Sequence, residues 1–359
     1  MTTARRRSIR TAIFLSAMAA TPWAASAEEI TFEDQRGKTI TLAEPADNVV
    51  IMPMPAPFMY IAVDGGPQDL TGINPATKAV MEKSIISRIF PSLATINTAV
   101  VGSGFIPNVE EVLAVNPDIV IQWADDEVHL IEPMERVGIK VAGFSWGTHE
   151  IAQGHLRIIG RLSGNDEQVA KFFDWQKETI AALDKGLAQI PEEKRATMVY
   201  IDTLANNEIQ IFPTAEYFFT APGLRNLAVD AGVDGDIAKI TAETLLAWDP
   251  DVIIMNYYDV NQKPSDIYDN PIFSELKAVK NHRIFKTPLL DPGSQEAPMV
   301  WQWMATVGYP GVFDFDVRSE IQKYYADSFD AKVTAEEIDG VLNMEANVSS
   351  PDYRVMFGG

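Results

Sequence analysis

The sequence contains no cysteine among its 359 residues. This absence excludes disulfide bonds, thiolate-held metal ions and iron–sulfur clusters, and it leaves no residue to carry a lipid anchor at a cleavage point. Histidine is nearly as scarce, and none of the four histidines pairs with another at a spacing of four residues: His129, His149, His155 and His282. We therefore predict no metal ion held directly by the protein and no cofactor.

The chain also lacks a long hydrophobic run. Its N-terminal apolar stretch, Thr11 to Ala20, is too short to span a membrane stably. Four arginines precede this stretch and the small residues Ala25-Ser26-Ala27 follow it, a pattern typical of a secretory signal peptide. We predict that residues 1–27 are removed, that export by the Sec route is favoured over the twin-arginine route, and that the mature protein is soluble in a Gram-negative periplasm.

Basic residues are also scarce, with 29 lysines and arginines against 50 acidic residues. The full chain carries a net charge of −21, and residues 1–27 contain four arginines and no acids, which leaves the mature chain near −25. Such a surface repels nucleic acid and anionic lipid, so we exclude both as partners.

What the sequence does contain is one pattern used twice. Residues 109–121 (VEEVLAVNPDIVI) and 242–254 (AETLLAWDPDVII) agree at six of thirteen positions, 133 residues apart. Each copy is typical of a short helix, a Pro-Asp turn and a buried strand. Solenoid repeats have shorter periods, of roughly 20–50 residues, so this spacing predicts two similar lobes.

The remaining pattern predicts an α/β fold of two similar lobes with mainly parallel sheets, joined by one long α-helix, with a ligand cleft between them. Short apolar runs alternate with helical segments on both sides of a helical stretch that begins at Glu150. That stretch breaks at Gly164-Asn165-Asp166 and resumes as a helix of about 24 residues. The predicted domains are a first lobe over 28–147, linking helices over 148–190 and a second lobe with closing helices over 191–359.

The order of these motifs resembles the iron-complex and cobalamin class of periplasmic substrate-binding proteins, which serve ATP-driven importers. The resemblance runs from about Ile30 to Leu342 and is carried by these segments: Val101–Gly104, Asn108–Asp118, Val137–Val141, Thr241–Asp251 and Val279–Phe285. It implies that ligand binds between the lobes and that closure presents both lobes to a permease and its ATPase subunits. We expect a monomer.

The resemblance also implies that one glutamate on each lobe docks with the permease. The matching positions are Glu110 and Glu243, at equivalent places in the two repeats. A structural explanation competes with this one. Asn108 and Thr241 are typical N-cap residues, and a carboxylate in the first turn of a helix is favoured by the helix dipole by roughly 0.3–1 kcal/mol in any protein.

Ligand contacts are expected from loops that follow strands. Aromatic side chains suit such a cleft because they offer rigid contact faces with a polar edge. Trp123 and Tyr257 are the leading candidates, since we place each directly after a strand in an equivalent part of its repeat. The other predicted ligand-binding residues are Trp146, Tyr217, Met54, Phe105 and Tyr258, and the same loops also offer Met52, Asp125, Asp126, Gln295 and Glu296. Trp301 and Trp303 are predicted to belong to the penultimate helix.

Few cations lie near the predicted cleft; Arg88, Arg225 and Lys263 are the candidates. That scarcity disfavours a highly anionic ligand and favours a neutral or weakly charged chelate. The acidic run from Asp125 to Glu127 could bind a hard cation, although such a run is more typical of a solvated surface.

An enzyme is the competing class. Gly102-Ser103-Gly104 is half of a dinucleotide-binding fingerprint, but the third glycine is missing and Pro107 follows. No nucleophile elbow or zinc-hydrolase signature is present. We therefore predict a non-enzymatic binding protein that delivers a metal chelate, with a ferric siderophore favoured. Cobalamin, haem, a nickel chelate and a molybdate-type oxyanion remain as alternatives, as does an exported metal-chelate chaperone or sensor without a transport role.

Overall fold

The computed structural model describes residues 29–205, 208–213, 221–235, 237–259 and 261–358. The predicted signal peptide lies outside these residues. They form two α/β lobes joined by two consecutive linking helices, which confirms the predicted fold class. None of the described helices is long and apolar enough to cross a bilayer.

The first lobe opens with an antiparallel hairpin of β1 (Ile30–Glu33) and β2 (Thr39–Leu42). Asp34 closes the turn, because its Oδ1 accepts hydrogen bonds from the backbone amides of Arg36 (2.9 Å) and Lys38 (3.0 Å). The alternation of apolar and polar residues around Arg36-Gly37-Lys38 predicts this hairpin, and the prediction is confirmed.

Four parallel strands form the sheet of the first lobe: β3 (Val49–Ile51), β4 (Leu70–Ile73), β5 (Ile119–Trp123) and β6 (Val141–Phe144). Their order across the sheet is β4-β3-β5-β6. Nearly all of their residues are buried, as expected for a parallel sheet covered on both faces. The helices of this lobe are α1 (Ala56–Asp64), α2 (Pro75–Met81), α3 (Ile85–Ile89), α4 (Val109–Val115), α5 (Glu127–Leu130) and α6 (Glu132–Glu135).

The apolar run 99–101 predicts a further strand in this lobe, and this prediction is wrong. Val101, at the end of the apolar run that begins at Ala99, forms only an isolated bridge with Pro107, because the chain turns back at once. The sequence also fails to indicate β4, whose pattern is interrupted by Gly72. A Cβ atom on Gly72 would lie 2.9 Å from the side chain of Val100, so the close packing of this strand requires glycine.

Two helices link the lobes: α7 (His149–Ser163) and α8 (Asp166–Leu187). The predicted break between them is confirmed, and Gly164 makes it with a φ of 73°, the left-handed conformation that ends many helices. Helix α7 packs on α1 and β1, so it belongs to the first lobe. The 22 residues of α8 span about 33 Å at 1.5 Å per residue and carry the chain to the second lobe.

The sheet of the second lobe has six strands: β7 (Thr197–Ala205), β8 (Glu208–Ile211), β9 (Arg225–Asn226), β10 (Ala238–Ile240), β11 (Val252–Met255) and β12 (Ile284–Lys286). Strands β7, β9, β11 and β12 pair in parallel, whereas β8 and β10 add an antiparallel edge. The sequence indicates β7, β8, β11 and β12 but gives no signal for the short strands β9 and β10.

Short helices connect these strands, and longer ones close the chain. The connecting helices are α9 (Leu227–Asp230), α10 (Ala242–Trp248), α11 (Ser265–Tyr268) and α12 (Lys277–Lys280). The closing helices are α13 (Ala297–Gly308), α14 (Val317–Phe329), α15 (Ala335–Val341) and α16 (Pro351–Phe357). The sequence predicts two closing helices, around 294–308 and 317–326, which correspond to α13 and α14, but it does not predict α15 or α16. Thr334 and Glu337 form a reciprocal capping box at the start of α15, a sequence signal that would have revealed it.

The repeated pattern folds in the same way in both lobes. Val112 and Leu245, 133 residues apart, are fully buried under their sheets. Asn116 and Asp249 end the two helices with φ values of 48° and 45°. After each helix an aspartate fastens the neighbouring strand: Asp118 accepts from the amides of residues 47 and 48, both at 3.1 Å, and Asp251 from the amide (3.0 Å) and hydroxyl (2.9 Å) of residue 197.

The closing helices also reach back to the first lobe. Phe329 packs edge-on against Phe90, with ring centroids 5.6 Å apart, and Glu337 forms an ion pair with Arg88. Trp301 and Trp303 of α13 are buried, as expected for helix core positions. The connection between the lobes is therefore broader than the one long helix that the sequence predicts.

Candidate functional site

A cavity of about 540 Å³ lies between the lobes, at the carboxyl ends of their strands. We call it the aromatic cavity. Its described lining comprises Met54, Pro55, Met59, Phe105, Trp123, Asp125, Asp126, Leu130, Trp146, Gly147, Ile151, Ala152 and His155 on the side of the first lobe, and Tyr200, Asp202, Phe212, Ile237, Asn256, Tyr257, Tyr258, Asp291, Pro292 and Gly293 on the other. Open α/β sheets generally bind ligands at this end of their strands.

The first lobe contributes a set of edge-to-face aromatic rings centred on Trp123. This residue ends β5, and its ring lies 6.4 Å from Phe105, 6.1 Å from Trp146 and 6.1 Å from the imidazole of His155. Such contacts are favourable and fix the ring positions before any ligand arrives.

The uncharged imidazole of His155 packs between Trp123 and Phe144. Its ring stacks on Phe144 with 4.2 Å between centroids, and its Nε2 lies 3.1 Å from the carbonyl oxygen of Ser145. Burial lowers the pKa of His155 to about 4, so the imidazole is uncharged at neutral pH. His155 therefore adds no positive charge to this wall of the cavity.

Trp146 joins the two walls of the cleft. Its ring lies 5.6 Å from Phe212, which follows β8 in the second lobe. The indole Nε1 of Trp146 is buried and has no hydrogen-bond partner among the described residues. An unsatisfied buried donor costs free energy, so an acceptor atom on a ligand at this point would be stabilising.

The second lobe contributes a stacked tyrosine pair held by a carboxylate. The rings of Tyr257 and Tyr258 are 4.2 Å apart at an angle of 29°. Their hydroxyls donate long hydrogen bonds to Oδ2 of Asp291, at 3.5 Å and 3.3 Å respectively. Burial raises the pKa of Asp291 to about 6, because removal from water disfavours the charged form.

The loop after β11 is held in place by a second polar network. Asn256 donates to Asp202 Oδ1 at 2.8 Å and accepts from the amide of Tyr258 at 3.2 Å. Gln262 donates to the backbone carbonyls of Asp202 (2.8 Å) and Asn256 (3.0 Å). The tyrosine pair is therefore positioned by residues that do not themselves need to touch a ligand.

The aromatic cavity is acidic. Its described lining includes Asp125, Asp126, Asp202 and Asp291 but no lysine or arginine. The acidic run at the end of β5 lies at the exposed rim, where Asp126 caps α5 and contacts the ring of His129 at 2.9 Å. Among the described residues, no three histidine or carboxylate side chains converge to hold a metal ion.

The structure brings six of the seven predicted ligand-binding residues together, and they all line the aromatic cavity: Met54, Phe105, Trp123, Trp146, Tyr257 and Tyr258. The seventh, Tyr217, lies outside the described residues. The predicted equivalence of Trp123 and Tyr257 is wrong by one position, because the repeat offset pairs Trp123 with Asn256.

The other candidates from the sequence have different surroundings. Met52 is buried in the core of the first lobe, and Gln295 is buried with its amide donating to Tyr324 at 2.8 Å. Arg88 and Arg225 are paired with Glu337 and Asp230 rather than facing the aromatic cavity.

Glu110 and Glu243 are both exposed in the first turns of α4 and α10. The cap predicted at Thr241 is confirmed, since its hydroxyl accepts from the amide of Thr244 at 3.2 Å. Asn108 occupies the N-cap position of α4, but its side chain makes no capping bond. The backbone amide of Glu243 and the Thr241 side chain lower the pKa of the Glu243 carboxyl.

Phe212, Asp202, Asn256 and Asp291 line the cavity although the sequence did not single them out. A signal existed for Phe212 and Asn256, because Phe212 ends the predicted strand 209–212 and Asn256 directly follows the predicted strand 252–255. Asp291 directly follows the apolar pair Leu289-Leu290, but the contact residues predicted from this loop are Gln295 and Glu296. Nothing in the sequence indicates that Asp291 meets a tyrosine pair more than thirty residues earlier.

A second cavity of about 660 Å³ adjoins the first. The two share Met54, Pro55, Tyr257, Tyr258 and Asp291, so these residues form the boundary between them.

Comparison with known proteins bears on what this cleft does. A family model described as "Periplasmic binding protein" matches residues 73–289, more than half of the chain. A periplasmic solute-binding protein from Veillonella parvula has 27% identity, and the alignment covers 89% of this chain and 99% of that one with a TM-score of 0.78. The molybdate-binding protein MolA of Haemophilus influenzae is 22% identical over 81% of this chain and 88% of its own. An iron-uptake system-binding protein of Bacillus subtilis is 22% identical over 53% of this chain and 60% of its own.

Proposed function

The chain belongs to the periplasmic binding protein family, and from that premise we propose that it is the substrate-binding component of an ABC importer that carries a metal chelate between its lobes. The cargo we propose is a ferric siderophore whose metal centre is neutral or positively charged. The observation that carries this proposal is the aromatic cavity, which combines rigid rings from both lobes with four carboxylates and no lysine or arginine in its described lining.

The aromatic walls favour an organic surface rather than a bare ion. An indole ring offers no ligand atom to a metal ion, and burial raises the pKa of Tyr257 and Tyr258, so their phenols stay protonated. Both kinds of ring offer broad contact faces to the outside of a chelator. A chelator supplies all the metal ligands itself, so the protein needs none.

The charges that line the aromatic cavity favour a neutral or cationic metal centre over an oxyanion. An anion in a partly desolvated site requires cations or several aligned donors to offset the loss of hydration. The described lining of the aromatic cavity offers aspartates in place of cations. The relative from Haemophilus influenzae is named for molybdate, but the acidic lining of this cavity argues against an oxyanion as the cargo here.

Delivery follows from contact with both lobes. A ligand that touches Trp123 on one side and Tyr257 on the other gains more contacts when the cleft is closed, so it shifts the population toward the closed state. Glu110 and Glu243 then present carboxylates at equivalent points of the two lobes for docking with basic residues of a permease. Their exposure and their equivalence in the repeat support this role.

The proposal is tested by titrating the purified mature protein with a panel of ligands while following tryptophan fluorescence. The panel contains ferric hydroxamate, carboxylate and catecholate siderophores, cobalamin, haem, nickel–histidine and molybdate. We expect saturable quenching at micromolar or tighter concentrations by a ferric chelate whose metal centre is neutral or cationic. Binding of molybdate alone, or of none of the panel by folded protein, would overturn the siderophore assignment.

Variants then locate the site. Trp123→Phe should weaken binding measured by calorimetry, whereas Trp175→Phe should not, because Trp175 lies on α8 and packs beside Tyr324 away from the aromatic cavity. Uptake of radioactive iron by cells that lack the protein separates transport from a chaperone or sensor role. Normal uptake of the bound chelate in such cells would contradict the importer assignment.

A further inference from the structure

The second inter-lobe cavity differs from the first in charge and lining. We propose that it holds an extended, acidic arm of the same ligand whose metal centre occupies the aromatic cavity. This inference rests on the proposed function. We call the second cavity the lysine cavity, after Lys83, Lys263 and Lys286 in its lining.

Continuity of the two cavities makes one ligand sufficient for both. They meet at Met54 and Pro55 of the first lobe and at Tyr257, Tyr258 and Asp291 of the second. A chelate whose rigid centre rests on the aromatic rings can therefore pass a flexible arm across this boundary. The arm would remain between the lobes throughout, in contact with both.

Lys286 is the most unusual group of the lysine cavity. Its side chain is 3% exposed, and its Nζ donates to the carbonyl oxygens of Asp259 (2.6 Å) and Gln262 (2.7 Å). An ammonium group has three donors, so one remains for an acceptor in the cavity. No described carboxylate forms an ion pair with it. A buried cation that meets only carbonyl groups is well placed to receive a carboxylate from a ligand.

The remaining charges leave this cavity more positive than its neighbour. Lys83 and Lys263 are exposed, and neither side chain forms an ion pair with a described residue. The acids in the lining are Asp291, Glu296 and the exposed Glu345. Burial raises the pKa of Glu296 to about 8, so this group is largely protonated at neutral pH and opposes the lysines little.

The floor of the lysine cavity is apolar. Helix α2 contributes Ala76, Ala79 and Val80, and Phe58 and Ile86 come from the neighbouring helices α1 and α3. An apolar floor under a rim of amines fits a chain of methylene groups that ends in a carboxylate. A small inorganic anion would leave this floor uncovered, so the geometry points to an arm of a larger molecule.

Two matched ligands test the inference: ferrioxamine B acylated on its terminal amine with a succinyl group or with an acetyl group. Their iron centres are identical, and only the first carries an acidic arm. We expect the succinyl complex to bind about tenfold more tightly at low ionic strength, which is about 1.4 kcal/mol. The double variant Lys83→Ala/Lys263→Ala should lower this ratio, while the buried Lys286 keeps it above one, and should leave the affinity for the acetyl complex unchanged.

A second variant tests the space rather than the charge. Ala79 is exposed on α2, so Ala79→Trp should fold normally while filling the lysine cavity. It should weaken the succinyl complex more than the acetyl complex. The control for the lysine double variant is Lys171→Ala, which removes an exposed lysine of α8 that pairs with Glu167 and lies outside both cavities.

The outcomes separate the inference from the function on which it rests. If both complexes bind and the ratio is the same in the parent chain and the lysine double variant, the inference is wrong while the proposed function stands. If Ala79→Trp weakens neither complex, the arm does not enter the lysine cavity. If folded parent protein binds neither complex, the proposed function fails for hydroxamate siderophores, and this inference fails with it.

Discussion

Strand β5 in the first lobe ends in Trp123, and the equivalent position of the second lobe, 133 residues later, is Asn256. Before that point the two repeats share a buried residue in the helix, a left-handed residue that ends the helix, and an aspartate that accepts hydrogen bonds from the start of the neighbouring strand. Beyond it, the first lobe offers indole rings and the second a tyrosine pair held by Asp291. The two lobes therefore share a scaffold and differ in the few residues at and after the ends of these strands.

The rigidity of the two walls also has different origins. Trp123 is fixed by contacts among aromatic rings, which need no polar partner. Tyr257 and Tyr258 are fixed by polar groups, namely Asp291 and the network of Asn256 and Gln262. The first wall should therefore be insensitive to pH, whereas the second contains buried acids.

The largest expected effect tests whether the two lobes act as a pair in docking. Glu110→Lys or Glu243→Lys should each reduce chelate uptake by cells to background, because a positive charge would face the basic residues proposed on the permease. Ligand affinity should be unchanged, since both residues lie outside the lining of the aromatic cavity. Uptake and calorimetry on the same variants provide the measurement.

Glu167→Lys is the control for that experiment, because Glu167 is an exposed acid on α8 rather than on a repeat helix. It should transport normally. If only one of the two lobe variants lost transport, docking would be asymmetric; if both lost affinity, these residues would belong to the site instead.

The next effect tests whether the two equivalent strand ends contribute unequally. Trp123→Ala should weaken chelate binding by at least about 30-fold, since truncating a well-packed aromatic anchor typically costs 2 kcal/mol or more. Asn256→Ala should cost less, because Asn256 acts through the loop that it holds. Calorimetric titration of both variants checks the order, and a larger loss for Asn256→Ala would reverse the roles assigned to the two walls.

A pH effect is expected from the second lobe. Burial raises the pKa of Glu296 to about 8 from 4.5, so the native state retains a proton that the unfolded chain has lost between these values. The free energy of unfolding should therefore decline as pH rises through this window, by on the order of 1 kcal/mol per pH unit. Glu296→Gln has no such proton to lose and should remove this part of the slope.

Urea denaturation of the parent chain and Glu296→Gln at several pH values between 5 and 8 measures the difference. The two curves should diverge as pH rises, with the variant becoming relatively more stable. Parallel curves would show that Glu296 titrates alike in the folded and unfolded chains.

The smallest effect compares the two aspartates that fasten neighbouring strands. Asp251→Ala should reduce the free energy of unfolding by about 1–2 kcal/mol, because its carboxylate accepts from both an amide and a hydroxyl of half-buried Thr197. Asp118→Ala should cost less, since Asp118 is exposed to water. Chemical denaturation in urea would detect the order, and an equal cost would mean that burial does not distinguish the two turns.

Much of the fold could be predicted because it depends on local pattern. The buried strands, the break at Gly164 and the duplicated helix–turn–strand all follow from hydrophobic spacing and turn residues. Where the pattern was weak the prediction was wrong: β4 contains a glycine required by the packing of Val100, and Val101 is apolar but turns back at once. These outcomes depend on contacts between distant segments, which a local pattern does not contain.

The candidate site divides in the same way. Rings at or just beyond the ends of strands, such as Trp123 and Trp146, could be placed near the cleft from sequence alone. The partners that hold them could not, because Asp291 meets Tyr257 only through the fold of the second lobe, and Phe212 meets Trp146 across the cleft. The lysine cavity was missed for the same reason, since its three amines come from separate segments of both lobes.

The most direct test of the account is the position of the metal in a complex. Crystals of the mature protein with its bound ferric chelate, measured at the iron absorption edge, would give an anomalous peak that locates the iron. We predict this peak inside the aromatic cavity, between Trp123 of the first lobe and Tyr257 of the second. A peak outside the cleft, or iron held directly by protein side chains, would contradict it.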